Sequence, residues 1–136
     1  METLIYPDTN FYLDYFEDRS DNIRPLGEFA FSVLKRAFKC EFKIVMSYWV
    51  IKELEQHIAE ERLARFIEKL ESMNKLIMVA RDYDEAIKAK SLPTHYSDAL
   101  HIVLAMKAGA EFFVTRNIQH YLDRGYLIKV ILPENL

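Results

Sequence analysis

Two rhythms of apolar positions run through the chain. Short unbroken apolar runs, as in strands buried on both faces, alternate with stretches whose apolar residues recur every three or four positions, as in helices packed by one face. Leu4 to Tyr6 is the first run, with Pro7 restricting its end. Thr9 or Asn10 can cap a helix over Phe11 to Phe16, and Asp18 to Asn22 is a polar loop. Pro25 can open a second helix, whose inner face is Leu26, Phe29, Ala30, Val33, Leu34, Ala37 and Phe38. Lys43 to Ser47 reads as a strand, and Ser47 caps a helix containing Val50, Ile51, Leu54 and Ile58. The next helix carries Leu63, Phe66, Ile67, Leu70 and Met73 on one stripe, and Lys75 to Ala80 is a strand.

The second half repeats the alternation. Asp82 with Glu85 forms a capping-box pattern opening a helix to about Lys90, and Leu92-Pro93-Thr94 is a break. Ser97-Asp98 starts a helix through Ala108 that is apolar on most sides, closed by Gly109 in a left-handed cap. Glu111 to Thr115 is a strand, Ile118 to Leu122 a short helix, and Tyr126 to Leu132 a last strand. Strands alternating with helices predict a single three-layer α/β/α domain over residues 1–136, with a mainly parallel sheet of four to five strands.

Composition narrows the chemistry. The chain has 136 residues, long enough to bury roughly two-thirds of its unfolded surface. With 51% apolar and 29% charged residues it is not a disordered sequence. Its three glycines, Gly27, Gly109 and Gly125, cannot build a Gly-rich phosphate loop. A single Cys40 excludes an internal disulfide and a Cys-rich zinc site, and suits a reducing cytoplasm. No secretory signal pattern and no run long enough to span a membrane is present. The net charge of -3 supplies no overall attraction for nucleic acid, so any such contact needs a local basic patch.

The acids matter through topology. In right-handed βαβ units, strands leave and helices begin at the same sheet edge. Asp8 stands where the first strand stops, Glu53 about two turns past Ser47, and Asp98 at the opening of its helix; Asn117 follows the fourth strand. Singly, each acid is better explained by a helix cap or solvated surface. Together they would crowd like charges, and a hard divalent cation with oxygen ligands would relieve that.

Leu4-Ile5-Tyr6-Pro7-Asp8-Thr9-Asn10, Ser47 to Leu54 with Glu53, Asp98-Ala99-Leu100-His101 and Val114-Thr115-Arg116-Asn117 resemble, in order, the signatures of PIN domains, which include the VapC-type ribonuclease toxins. The resemblance covers nearly the whole chain. It implies Mg²⁺- or Mn²⁺-dependent hydrolysis of RNA by one or two metal ions, without a Ser or Cys nucleophile. Asp8, Glu53 and Asp98 match the three core acids. Asp8 and Asp98 would be metal ligands or hold metal waters, and Glu53 would ligate or orient the attacking water. The fourth acidic position is Asn117, a departure that bears on a second metal and on turnover. Thr115 matches the hydroxyl before it. The resemblance also implies an antitoxin partner and a homodimer.

Other residues offer subsidiary roles. His101, one turn after Asp98, can steer substrate or simply pack, and Arg116 can meet a phosphate or lie on the surface. Tyr6, Tyr48, Trp49 and Tyr96 can stack on unpaired bases or fill the core. His57, His95, His101 and His120 have no metal-site spacing. Phe31 lies outside its helix's inner stripe and suits a partner helix or a second copy. Two further classes remain: a PIN-like domain that binds RNA or protein with weak or no catalysis, and a phosphatase or response-regulator-like domain with Asp8 as nucleophile.

Overall fold

A computed structural model describes residues 2–20, 23–80, 83–91, 96–124 and 127–136. Five strands form one parallel sheet in the order β3-β2-β1-β4-β5. They are β1 (Thr3–Pro7), β2 (Phe42–Ser47), β3 (Leu76–Val79), β4 (Phe112–Val114) and β5 (Lys129–Ile131). The helices are α1 (Thr9–Glu17), α2 (Leu26–Phe38), α3 (Tyr48–Leu54), α4 (Glu60–Ser72), α5 (Tyr83–Lys90) and α6 (Tyr96–Lys107). A 3-10 segment, Ile118–Arg124, joins β4 to β5, and another, Pro133–Asn135, follows β5. This is the expected α/β/α architecture, with the sheet wholly parallel.

From β1 the chain steps outward to β2 and β3, then returns across β1 to β4 and β5. With right-handed crossovers that reversal puts α1 to α4 on one face and α5 and α6 on the other. Ile5, Tyr6, Ile44, Val45, Met46, Phe113 and Val114 are completely buried between the layers. The reversal falls between β1 and β4, paired through Tyr6 with Phe113 and Pro7 with Val114. Such a switch point, beyond the carboxyl ends of the strands, is where open α/β sheets bind ligands.

Several boundaries differ from the sequence reading, each for a local reason. The first helix starts at Thr9 because Asp8, not Thr9 or Asn10, is the cap: its side chain accepts the Phe11 N–H at 3.0 Å. Ser47 caps α3 as expected, accepting from Val50 N at 3.2 Å. That helix ends at Leu54, and Ile58 is buried from the following turn, its N–H bonded back to Leu54 O. Met73 ends α4 as a half-exposed cap instead of extending its buried stripe. Gly109 takes φ +74° after α6, as expected of a left-handed cap. Gly27 is required by close approach, since a Cβ there would lie 2.8 Å from the Asp14 carbonyl oxygen at the end of α1. Asp21, Asn22, Asp82, the Leu92-Pro93-Thr94 break, His95, Gly125 and Tyr126 lie outside the described residues, as does the side chain of Glu85.

Candidate active site

Asp8 is the buried end of β1. Only 3% of it is exposed, yet it carries a carboxylate. Oδ1 accepts from Phe11 N, and Oδ2 accepts from the Thr115 hydroxyl at 2.6 Å. Thr115 follows β4, so this bond ties the two strands across the switch point; Asp8 N also donates to Val114 O at 3.0 Å. Burial raises the Asp8 carboxyl above its ordinary value, opposed by the hydrogen bonds from Thr115 and Phe11. The Thr115 hydroxyl oxygen accepts the Asn117 N–H at 3.0 Å, which fixes the bend carrying Arg116 and Asn117.

Glu53 is not the solvated helix residue that charged Lys52 and Glu55 suggested. It is half-buried, and three side chains donate to it: Thr9 to Oε1 at 2.6 Å, His101 Nε2 to Oε1 at 2.7 Å, and Ser97 to Oε2 at 3.1 Å. Burial raises its carboxyl, but the bonds from His101, Thr9 and Ser97 outweigh that and leave it below the ordinary value. Thr9 adjoins Asp8 and Ser97 adjoins Asp98, so Glu53 is held between the residues that flank the other two acids. Asp98 lies in the first turn of α6, where the helix dipole favours its charge, and accepts from the Tyr121 hydroxyl at 3.1 Å. Tyr121, on the 3-10 segment after β4, packs on Phe113 with ring centroids 4.6 Å apart.

His101 is 3% exposed, between Glu53 and the Tyr6 hydroxyl, which lies 2.8 Å from its Nδ1. Tyr6 is completely buried and has no face to offer a base. Trp49 and Tyr96 meet edge to face at 6.2 Å, and Trp49 Nε1 donates to Ser97 at 3.1 Å, so this pair backs Glu53. Arg116 Nε lies 3.2 Å from Asp14 Oδ2 in an ion pair without hydrogen-bond geometry. Asp14 is buried on α1, and its Oδ1 has no hydrogen-bond partner among the described residues. Burial drives its carboxyl up to about 6, against the pull of Arg116 and Arg19.

The sequence reading missed Asp14, Ser97, Thr9 and Tyr121 as site residues. Asp14 alone had a visible signal, a lone acid among Phe11, Tyr12, Leu13 and Phe16 on an otherwise apolar helix.

Among the described residues no three His, Cys, Asp or Glu side chains cluster closely enough to enclose a metal ion. The donor chemistry nonetheless fits a hard cation. Mg²⁺ keeps several waters and is held by one or two carboxylates together with substrate phosphate, not by an all-protein cage. Among the described residues the hydrogen-bond donors to the Asp8 and Asp98 carboxylates are neutral, so acceptor capacity and negative charge remain for a cation.

The PIN domain family model matches residues 5–124. The chain belongs to the PIN domain family. PIN domains are generally nucleases that use divalent metal ions. Several solved structures share the fold. VapBC2 from Rickettsia felis, bound to a DNA fragment from its promoter, aligns with a TM-score of 0.63 at 16% identity, covering 96% of this chain and 98% of that one. A toxin–antitoxin complex from Klebsiella pneumoniae aligns equally well, at 16% identity over 97% of this chain and 98% of that one, TM-score 0.63. VapBC-1 from nontypeable Haemophilus influenzae aligns with a TM-score of 0.60 at 15% identity over 96% and 98%. No curated protein matches the chain in sequence.

Proposed function

We propose that this PIN domain is a Mg²⁺- or Mn²⁺-dependent endoribonuclease and the toxin of a toxin–antitoxin pair, acting in the cytoplasm with the whole chain as its nuclease domain. The observation that carries the reading is the buried Asp8 carboxylate at the β1–β4 switch point, with Glu53 held between the neighbours of Asp8 and Asp98. When bound, the metal would neutralise charge developing on the phosphodiester and lower the pKa of water. Asp8 and Asp98 would hold it. Glu53, kept ionised by its three donors, accepts a proton or aligns the attacking water. Thr115 orients Asp8, and Arg116 is the candidate contact to an RNA phosphate.

Among the described residues no helix is long and apolar enough to cross a membrane. The partner reading is supported by toxin–antitoxin complexes of the same fold. Self-association is supported by Phe31, 54% exposed and stacked on Tyr15 with ring centroids 6.3 Å apart. A second reading, a PIN domain that binds RNA or protein with little turnover, is favoured by Asn117, which brings a neutral amide where the family usually has an acid.

The test is cleavage of short RNAs by the purified protein with Mn²⁺ or Mg²⁺, with EDTA, and with Asp8→Asn. Metal-dependent cleavage lost in the variant supports the nuclease. RNA or antitoxin binding without cleavage selects the second reading.

A further inference from the structure

The geometry points to His101 as the positioning residue of Glu53, locked in one orientation and one tautomer by a buried hydrogen-bond chain that starts at the cap of α3. This rests on the reading of Glu53 as a site residue. His101 is 3% exposed and Tyr6 not exposed at all, so neither touches RNA. Yet His101 joins both: Nε2 is 2.7 Å from Glu53 Oε1 and Nδ1 is 2.8 Å from the Tyr6 hydroxyl. The Tyr6 oxygen is in turn 2.7 Å from Ser47 Oγ, which accepts from Val50 N at 3.2 Å.

With a neutral His101 ring, donor and acceptor rules give this chain a single direction. An ionised Glu53 only accepts, so His101 donates from Nε2. A neutral imidazole then has Nδ1 free to accept, and Tyr6 O–H donates to it. The Tyr6 oxygen accepts the Ser47 hydroxyl proton, while Ser47 Oγ receives the backbone N–H of Val50. Every group is used, and the last donor belongs to the backbone of the helix that carries Glu53. The second ring nitrogen thus decides which way the first points, as with the outer partners of metal-bound histidines. Thr9 and Ser97 also donate to Glu53, but each is a rotatable hydroxyl. The imidazole alone is wedged by packing: its ring meets Tyr6 at 65° with centroids 5.8 Å apart.

The experiment combines His101→Leu, His101→Gln and Tyr6→Phe in the full chain. In wild-type protein, ¹⁵N NMR should show His101 as the neutral Nε2–H tautomer; the Nδ1–H tautomer or a doubly protonated ring would overturn the proposal. In a crystal structure of His101→Leu the Glu53 carboxylate should leave its present place, and an unmoved carboxylate would overturn it. On the reading of Glu53 as a site residue, kcat should fall about 10- to 100-fold in His101→Leu, the range for outer partners that orient site groups. KM for RNA should stay unchanged, because His101 is buried. His101→Gln, which can place an amide N–H near the Nε2 position, should recover most of the loss; no recovery would reduce the role to packing. If His101→Leu does not fold, Tyr6→Phe decides, since it keeps the packing and must disturb the His101 ring resonances and kcat together. Wild-type protein that cleaves no RNA would defeat the nuclease reading, while the NMR and crystallographic results still decide the positioning role.

Discussion

Asp14→Asn should stabilise the protein at neutral pH and remove a pH dependence that the wild type shows. Asp14 lies buried in α1 with Arg116 and Arg19 as its cationic neighbours, and Asp8 and Glu17 acting against them. Its carboxyl rises from 3.8 to about 6 on folding, so burial outweighs both arginines. A rise of roughly two pH units makes ionising Asp14 about 3 kcal/mol more costly in the folded protein than in the unfolded chain. The sign follows from proton binding. Below pH 3.8 both states hold the proton and this contribution is fully present. Between 3.8 and about 6 the unfolded chain releases its proton first, so stability falls as pH rises, and above about 6 the contribution is gone. Asn has no proton to lose, so its advantage over wild type should grow by about 3 kcal/mol across that window. The Asn carbonyl oxygen can take the Oδ2 position beside Arg116, with the amide hydrogens at the Oδ1 position, which has no hydrogen-bond partner among the described residues. Urea unfolding in EDTA, followed by circular dichroism from pH 4 to 8, measures the difference directly. Parallel curves for the two proteins would refute the reasoning.

Asp8→Asn and Asp98→Asn should each abolish Mn²⁺-dependent RNA cleavage with unchanged circular dichroism, and metal-free Asp8→Asn should melt higher because a buried charge is removed. Thr115→Val should destabilise the fold by about 1–3 kcal/mol in urea unfolding, since Asp8 Oδ2 and the Asn117 N–H both lose their partner. Phe31→Ser should shift sedimentation at micromolar concentration towards monomer, and an unchanged profile would remove that face from the interface. Asn117→Asp should tighten Mn²⁺ binding in calorimetric titration while lowering the metal-free melting temperature, because ligand charge helps to set affinity for hard cations. Unchanged values of both would place Asn117 away from the metal.

The alternation of rhythms was enough to read the architecture, because strands buried on both faces and one-sided helices leave unmistakable patterns. Boundaries were less legible where capping is a competition. Asp8, Thr9 and Asn10 can all cap, and only the packed structure shows that Asp8 wins. Left-handed turns were legible at Gly109 but not at Asp18, Cys40 or Asn74, which take positive φ without glycine. The placement of Asp8 and Asp98 followed from topology. The environment of Glu53 did not, because its sequence neighbours Lys52 and Glu55 face solvent while its donors come from α1 and α6. From the sequence Arg116 can meet a phosphate or lie on the surface, and neither reading contains Asp14, which lies about a hundred positions earlier and is paired with it only by the fold.

The acids of the site fall into two kinds once their partners are compared. Glu53 has an imidazole and two hydroxyls, and Asp14 has two guanidinium groups within 4.0 Å. The donors hold the Glu53 carboxyl below its ordinary value, whereas at Asp14 burial outweighs both arginines. Among the described residues Asp8 and Asp98 have only neutral donors: a hydroxyl and a backbone N–H for Asp8, a phenol for Asp98. A buried carboxylate without a contacting cation is costly in free energy, and Asp8 registers that cost in its raised carboxyl. On the proposed reading the fold has therefore divided the labour. It gives Glu53 three donors that keep its carboxylate ionised and in place, and gives Asp8 and Asp98 fewer, leaving acceptor positions that an external cation completes. Metal binding should then stabilise the folded state through Asp8 and Asp98, by an amount that rises with metal concentration over its dissociation constant. Removing the Glu53 carboxylate should weaken that gain less than removing Asp8.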